Sequence, residues 1–466
     1  MIGVIIEKEI RDLIGSTKFA VTFAAAALLI VGAFYVGATR HKLNVEQDEA
    51  SRVENLRQME GLTDWLRVES NRIFLPPQPL AALVSGVSND VGRTVSVVGR
   101  GELTAYGSRY SEDPIYAAFR FLDLEFIFQI VLSLFAILLG FDAVSGEKEL
   151  GTLRLTLAHA VPRSTYILGK IAGACIALSV SVLLAVAIGC LLLPVMGVAL
   201  TGTEWARLGL VVLTGMLYFG VFLTMSVFVS SMTHRTSSSF LVLLVVWVMS
   251  VMVIPRATVL LAGRAVAVPT AEEVAAQKAS YRIQLWKETR AQMLDFKPNG
   301  TAPDPAQEFT QFMDSLTDVR ESRIAEHSGR LNEERYNRQL EQQKLAFALA
   351  RLSPSASLAL AASTLAGTSL SLADHFKNEA AAYQQEYAAF MKEKTGVVPG
   401  AGMVMIRVGD EEPQPIDPAE LPEFTYDPLP LDKTVEAAAV DIGLLAFFNL
   451  LFFAGAFTAF LRYDVR

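Results

Sequence analysis

The sequence predicts a mainly α-helical, polytopic membrane protein with six transmembrane helices and a largely helical extracytoplasmic domain built from two insertions. Three observations predict it. Of the 466 residues, 52% are hydrophobic and 19% charged, with a mean hydropathy of +0.37. That is too apolar for an ordinary soluble protein and too charged for one lying wholly in a bilayer. Six apolar runs, at 19–39, 121–144, 165–194, 207–230, 240–262 and 435–461, are long enough to cross a hydrocarbon core of roughly 30 Å. Two long polar stretches, 40–120 and 263–433, separate them.

Each element follows from local pattern. Residues 1–18 place Glu7, Lys8, Glu9, Arg11 and Asp12 among isoleucines at helical spacing, which predicts an amphipathic helix on the membrane surface. In 40–120, charge-rich helical periodicity at 45–73 gives way to Pro76, Pro77 and Pro79. The Gly-, Ser- and Val-rich 84–98 then suits strand or loop. Asp123, Glu125 and Gln129 at the start of the second span read as interfacial groups rather than a transported-ion site. Lys170 is placed to snorkel from the third span, and Pro255 predicts a kink in the fifth.

Within 263–433, charge-rich stretches at 272–295 and 307–351 flank a breaker at 297–305, which predicts an antiparallel helix pair. The Ser- and Ala-rich run 352–372 reads as an interfacial segment in preference to a seventh span. A further helix is expected at 374–394, then a proline-punctuated linker or edge strands to residue 430. Glu436 and Asp441, at the entrance of the last span, also read as interfacial.

Several function classes are excluded. The net charge of -8 and the lack of a basic stripe argue against a nucleic-acid partner. Cys175 and Cys190 lie about four helical turns apart in one apolar run and cannot bridge within it. The five histidines are scattered without ligand spacing, so no metal is expected. Gly146-Glu147-Lys148 and Gly169-Lys170 lack the earlier glycine and the hydroxyl residue of a phosphate-cradling loop. No enzymatic site and no cofactor bound by this chain are therefore expected. Without broken helices or midplane charges, a secondary transporter is disfavoured.

The most informative stretch is the 145–164 loop between the second and third spans. It carries Glu147 and Glu149, Gly151 and Thr152, an amphipathic turn through Leu153, Leu155 and Leu157, then Pro162 and Arg163 before Gly169 and Lys170. Carboxylates in the first turn favour a helix N-terminus, and Pro162 ends the helix. A short surface helix with pinned ends follows; the plain alternative is a solvated loop whose acids shield the headgroup region.

The run Glu-x-Glu-x-Gly-Thr-Leu at 147–153, with Pro162-Arg163 and Gly169-Lys170, resembles the first cytoplasmic loop of type-2 ABC transporter permeases (the ABC-2 membrane family). Arg120 and Asp123 resemble that family's approach to the second span, and Leu352-Ser353-Pro354 with Leu365-Ala366-Gly367-Thr368 resemble a pattern of its long extracytoplasmic-loop branch. The resemblance implies a coupling helix that docks on a cytoplasmic ABC ATPase dimer through Glu147, Glu149, Gly151, Thr152, Leu153, Leu155 and Arg163. ATP and Mg would then reside on that partner. It also implies an N-terminal helix against the ATPase, a second permease copy or paralogue, and membrane lipid around both.

Lys8, Arg11, Lys18, Lys148, Arg154, Arg163, Lys170, Arg235, Arg462 and Arg466 fall on one side. By the positive-inside rule that side is the cytoplasm, with both termini there and both insertions outside, and the resemblance implies that the membrane is a prokaryotic inner membrane. The expected function is the permease subunit of an ABC exporter, with an extracytoplasmic protein partner for the outer domain. The alternative is a mechanotransmission or sensor module that passes no substrate.

Overall fold

The computed structural model describes residues 2–68, 70–88, 91–99, 103–106, 123–158, 162–297, 305–396, 398 and 415–463. Arg120 and Arg466 lie outside them, as do His159, one of the five histidines, most of the linker at 397–414, and the Leu157 side chain. The chain divides into two compact units, 258–349 and the remainder.

The larger unit begins with the amphipathic α1 (Ile2–Ile14) and the long α2 (Thr17–Arg57), whose N-terminus is capped by the Ser16 hydroxyl. At 1.5 Å per residue α2 is about 60 Å long, twice a bilayer core. It therefore continues from an apolar span into the polar insertion without a break. There it meets a three-stranded antiparallel sheet in the order β1 (Asn71–Phe74), β2 (Thr94–Val97), β3 (Thr104–Tyr106).

Asp123 then caps the short α3 (Leu124–Phe126), accepting from Phe126 N at 2.9 Å and from Ser85 N at 2.9 Å. A π-helical turn at Ile127–Leu132 leads into α4 (Ser133–Gly140), α5 (Ser145–Glu149) and α6 (Thr152–Ala158). The long α7 (Arg163–Val195) and α8 (Gly202–Met232) follow. Thr201 and Glu204 close a capping box on α8.

Then α9 (Thr236–Trp247) passes through a second π-helical turn at Val248–Val253 into α10 (Ile254–Ala265). Pro255 follows that turn, where widened bonding accommodates its missing N–H. After α11 (Ala271–Leu294) and α12 (Pro305–Ala350) come α13 (Pro354–Ala366), α14 (Ser371–Thr395) and α15 (Leu431–Leu461).

Among the described residues, seven helices rather than six are long and apolar enough to cross a membrane; the addition is Pro354–Thr395. Its first part, α13, is only about 20 Å long. α13 is buried inside the bundle along most of its length and packs on α8 and α15. Its serines explain the place, because they need polar partners inside the bundle. Ser355 Oγ accepts from Gln129 Nε2 at 2.6 Å, and the Ser353 hydroxyl donates to the Ser250 carbonyl. Both partners belong to π-helical turns.

The bundle core is formed by Phe34, Leu132, Ile137, Tyr218, Phe222 and their neighbours. Its outer faces are apolar as well: Leu28, Val180, Leu191, Leu241 and Leu450 are all more than half exposed. That pattern fits a solvent of lipid rather than water. The protein is a mainly α-helical, multi-pass membrane protein.

Asp441 overturns its interfacial reading. It is 2% exposed and takes two bonds from Arg351, Nε to Oδ1 at 2.7 Å and Nη2 to Oδ2 at 3.0 Å. A paired, doubly bonded carboxylate tolerates burial where a lone one would not. Glu436 is exposed.

Both insertions contribute to one folded extramembrane region of this unit. Asn71 Nδ2 donates to Tyr383 OH at 2.6 Å and Gln384 Nε2 to Val98 O at 2.8 Å, while Ile416 N reaches Leu62 O at 2.8 Å.

In the smaller unit, α11 and most of α12 form an antiparallel pair. Gln342 reaches Val266 O at 2.9 Å, Lys278 reaches Asn332 at 2.7 Å, and Tyr281 stacks on His327 at 4.0 Å. Further along, Arg320 covers Trp286 at 4.5 Å. Partner numbers fall on one helix as they rise on the other.

Candidate coupling surface

The loop between the second and third candidate spans is bonded to the bundle through Ser145, Glu147, Lys148, Glu149 and Arg163. Its backbone enters at Val144 and Ser145, whose N–H groups donate to the Ser230 hydroxyl at 3.0 and 2.9 Å. Glu147 Oε1 accepts from Lys170 Nζ at 2.9 Å, and its other oxygen accepts from the Tyr166 hydroxyl. Lys170 also donates to Glu9 Oε2 at 2.9 Å.

Lys170 therefore does not snorkel. Its side chain is 7% exposed, because two carboxylates replace the water it would otherwise seek. Burial pushes the Glu9 carboxyl up, with the Lys170 charge pulling the other way.

Glu149 has a different task. Its Oε2 accepts from Thr236 N at 3.0 Å and from the Thr236 hydroxyl at 2.9 Å. It thus caps α9, whose own N-cap residue Arg235 offers no side-chain bond. A carboxylate at that end also complements the helix dipole. Lys148 does the converse, donating to the Ser231 and Thr233 carbonyls at the end of α8 and lying 4.3 Å over the Tyr463 ring.

Gly151 turns the chain at φ +73°, with open space where a Cβ would stand, so it serves backbone conformation rather than close approach. Thr152 starts α6, its hydroxyl reaching Glu147 O at 3.4 Å. Leu153 is 1% exposed in a cluster with Val144, Tyr166, Ile171 and Phe460. Leu155 and Leu150 point the other way, 66% and 80% exposed. Arg163 donates to the Leu461 and Tyr463 carbonyls, both at 2.9 Å, fastening the end of α15.

The amphipathic α1 packs on α7, and glycines make this possible. A Cβ at Gly169 would come within 2.8 Å of Ile5 Cγ2, and one at Gly173 within 2.8 Å of Glu9 Cβ. This small-x-x-x-small spacing is a recurring helix-packing device in membranes. An open cleft of about 800 Å³ lies against α1 and the loop, bordered by Asp12, Lys18, Asp142, Glu147 and Glu149. Lys18 and Asp142 pair across it at 2.8 Å.

Of the seven residues anticipated from sequence, then, Glu147, Glu149, Leu153 and Arg163 engage the protein's own helices. Sequence reasoning missed Lys170 and Tyr166 as the partners of Glu147, Thr236 as that of Glu149, and Ser230 as the acceptor for the loop's entering amides, and it missed Leu150. Only the exposed Leu150 beside Gly151 carried a readable signal, an apolar residue among charges.

A family model described as "ABC-2 family transporter protein" matches residues 4–401. The chain is also similar to the probable ABC transporter permease protein NosY of Stutzerimonas stutzeri, 35% identical over 127 residues. That match covers 26% of this chain and 45% of the relative. With the loop geometry and the apolar bundle, these findings identify the chain as a membrane subunit belonging to the ABC-2 family of transporter proteins.

Proposed function

We propose that this chain is the permease subunit of an ABC exporter in a prokaryotic inner membrane, moved by a separate cytoplasmic ATPase through residues 145–164. Both termini are cytoplasmic and both polar insertions face outward. A second permease copy or paralogue faces this one across lipid, and ATP and Mg sit on the ATPase dimer.

The observation that carries the reading is the division of labour within the loop. Its polar side chains bind it to α7, α8, α9 and the end of α15, and Lys170 of α7 carries the link on to α1. Leu150 and Leu155 remain on the outside. A force applied to those leucines reaches every helix that the loop grips.

The test is a Leu150→Arg, Leu155→Arg variant reconstituted with the cognate ATPase. The expected result is a normal membrane level and thermal stability with loss of ATPase co-purification and stimulation. Unchanged stimulation would reject the loop as the docking site.

A second reading, a mechanotransmission or sensor module that passes no substrate, is favoured by the unbroken α2. A helix of about 60 Å joins the bundle to the extramembrane region without a flexible joint. Vesicles holding the full complex distinguish the two: the exporter reading requires ATP-dependent movement of some solute or lipid, the second none.

A further inference from the structure

We propose that the larger unit carries a phosphate-binding pocket where α2 leaves its apolar run, built by Arg40, His41, Asn44 and Arg93. The ligand is a phosphate group, supplied either by a phospholipid headgroup or by a soluble phosphate.

Arg40, His41 and Asn44 fall on one face of α2 just past the apolar residues 19–39. A cavity of about 50 Å³ lies against that face, bordered also by Leu75, Arg93 and Asp123. At about 10–15 Å³ per water, the space suits a handful of waters or one phosphate group. Its walls are fixed. A Cβ at Gly37 would overlap the Ala82 carbonyl, so α2 sits directly on the helical turn at Pro79–Ala82. Arg93 is tied to Leu75 in both directions: Leu75 N donates to Arg93 O at 2.8 Å, and Arg93 Nε and Nη2 donate back to Leu75 O at 3.4 and 3.2 Å.

The charge lining this cavity is unbalanced. Among the described residues, no carboxylate pairs with Arg40, His41 or Arg93. Asp48, whose charge reaches Arg93 through space, is bonded to Arg52 at 3.0 Å. Asp123 is the acid that lines the cavity, and its oxygens already accept from Phe126 N and Ser85 N. Two arginines against one carboxylate leave the lining positive. Burial lowers the Arg93 pKa from its ordinary value, the mark of a cation short of a counter-charge. The Leu75 carbonyl takes Nε and Nη2, so the Nη1 pair is left for a ligand, and guanidinium donors suit phosphate oxygens.

The membrane side of the pocket is apolar. Leu29, Ala33 and Val36 continue the Arg40 stripe at helical spacing, with Leu29 and Val36 exposed. An acyl chain lying along that stripe brings its headgroup phosphate to Arg40, as basic pockets beside membrane helices do with lipid headgroups.

The test is isothermal titration calorimetry of the full-length chain in uncharged maltoside micelles. The titrants are dihexanoyl-phosphatidylglycerol, dihexanoylglycerol without the phosphate, and inorganic phosphate. We expect the phospholipid to bind and dihexanoylglycerol not to bind. Arg93→Gln should weaken binding at least about tenfold and the exposed Arg40→Gln about threefold, while Arg57→Gln, farther along α2, changes nothing. Phospholipid binding much tighter than inorganic phosphate identifies lipid as the source, and equal affinities identify soluble phosphate. Should Arg93→Gln fail to fold, Arg40→Gln decides. No binding of either phosphate titrant, equal binding of dihexanoylglycerol, wild-type affinity in Arg40→Gln, or equal weakening by Arg57→Gln would each overturn the proposal. The pocket is about 33 Å along α2 from Lys18, so its failure leaves the coupling reading untouched.

Discussion

Arg351 clasps Asp441 with both ends of its guanidinium, joining the turn before α13 to the buried face of α15. The carboxylate is almost wholly enclosed while the arginine keeps a third of its surface exposed. The two ends of the pair should therefore respond unequally to mutation. Arg351→Leu strands a buried charge and should cost about 3 kcal/mol, whereas Asp441→Leu leaves a cation that reaches solvent and should cost less. The double substitution should recover most of the loss. Thermal unfolding in detergent reads all three, and equal single effects would show that the pair is not the determinant.

Lys170 poses the same problem with two acids. Lys170→Met leaves Glu9 and Glu147 facing each other in a site with little water, so α1 should detach from α7 and become protease-sensitive. Gly173→Leu should detach it by volume alone, because Glu9 Cβ already occupies the space. Limited proteolysis near the N-terminus distinguishes docked from free α1. If α1 stays protected in both variants, the Gly169–Gly173 face is not what holds it.

What the sequence made legible was periodic or bounded. Long apolar runs and the charged antiparallel pair declared themselves through hydropathy and breakers. The position of α13 did not, because its serines look interfacial until Gln129 and the Ser250 carbonyl are seen to bond them. Motif spacing located the loop but not the direction of its side chains. Glu147 and Glu149 read as outward contacts, yet their nearest donors are Lys170, Tyr166 and Thr236. Thr236 is 87 residues away, and only tertiary structure brings it near. Asp441 failed for the same reason, since a buried carboxylate is readable only once its cation has been placed.

Glu149 and Gly151 should prove modest and separable. Glu149→Ala removes the cap from α9 and should lower the unfolding midpoint less than the glycine change does, with no change in packing. Gly151→Ala forces a Cβ into the left-handed region and should cost roughly 1–2 kcal/mol, although space is free around it. Gly151→Asn, which tolerates that region, should recover part of the loss. Unfolding midpoints of the three variants test the ranking, and a harmless Gly151→Ala would mean the turn can rearrange.

Leu153 and Leu155, two residues apart on α6, should separate structure from coupling. Leu153 fills a cluster with Tyr166 and Phe460, so Leu153→Ala should cost about 2–5 kcal/mol and lower the folded yield. Leu155 is two-thirds exposed, so Leu155→Arg should change stability by no more than about 0.5 kcal/mol. If α6 is the lever, Leu155→Arg alone should uncouple the ATPase in reconstituted membranes while its unfolding midpoint stays at the wild-type value. Leu153→Ala, once folded at low temperature, should retain the docking face and part of the stimulation. Uncoupling that tracked stability across both variants would place the docking face elsewhere.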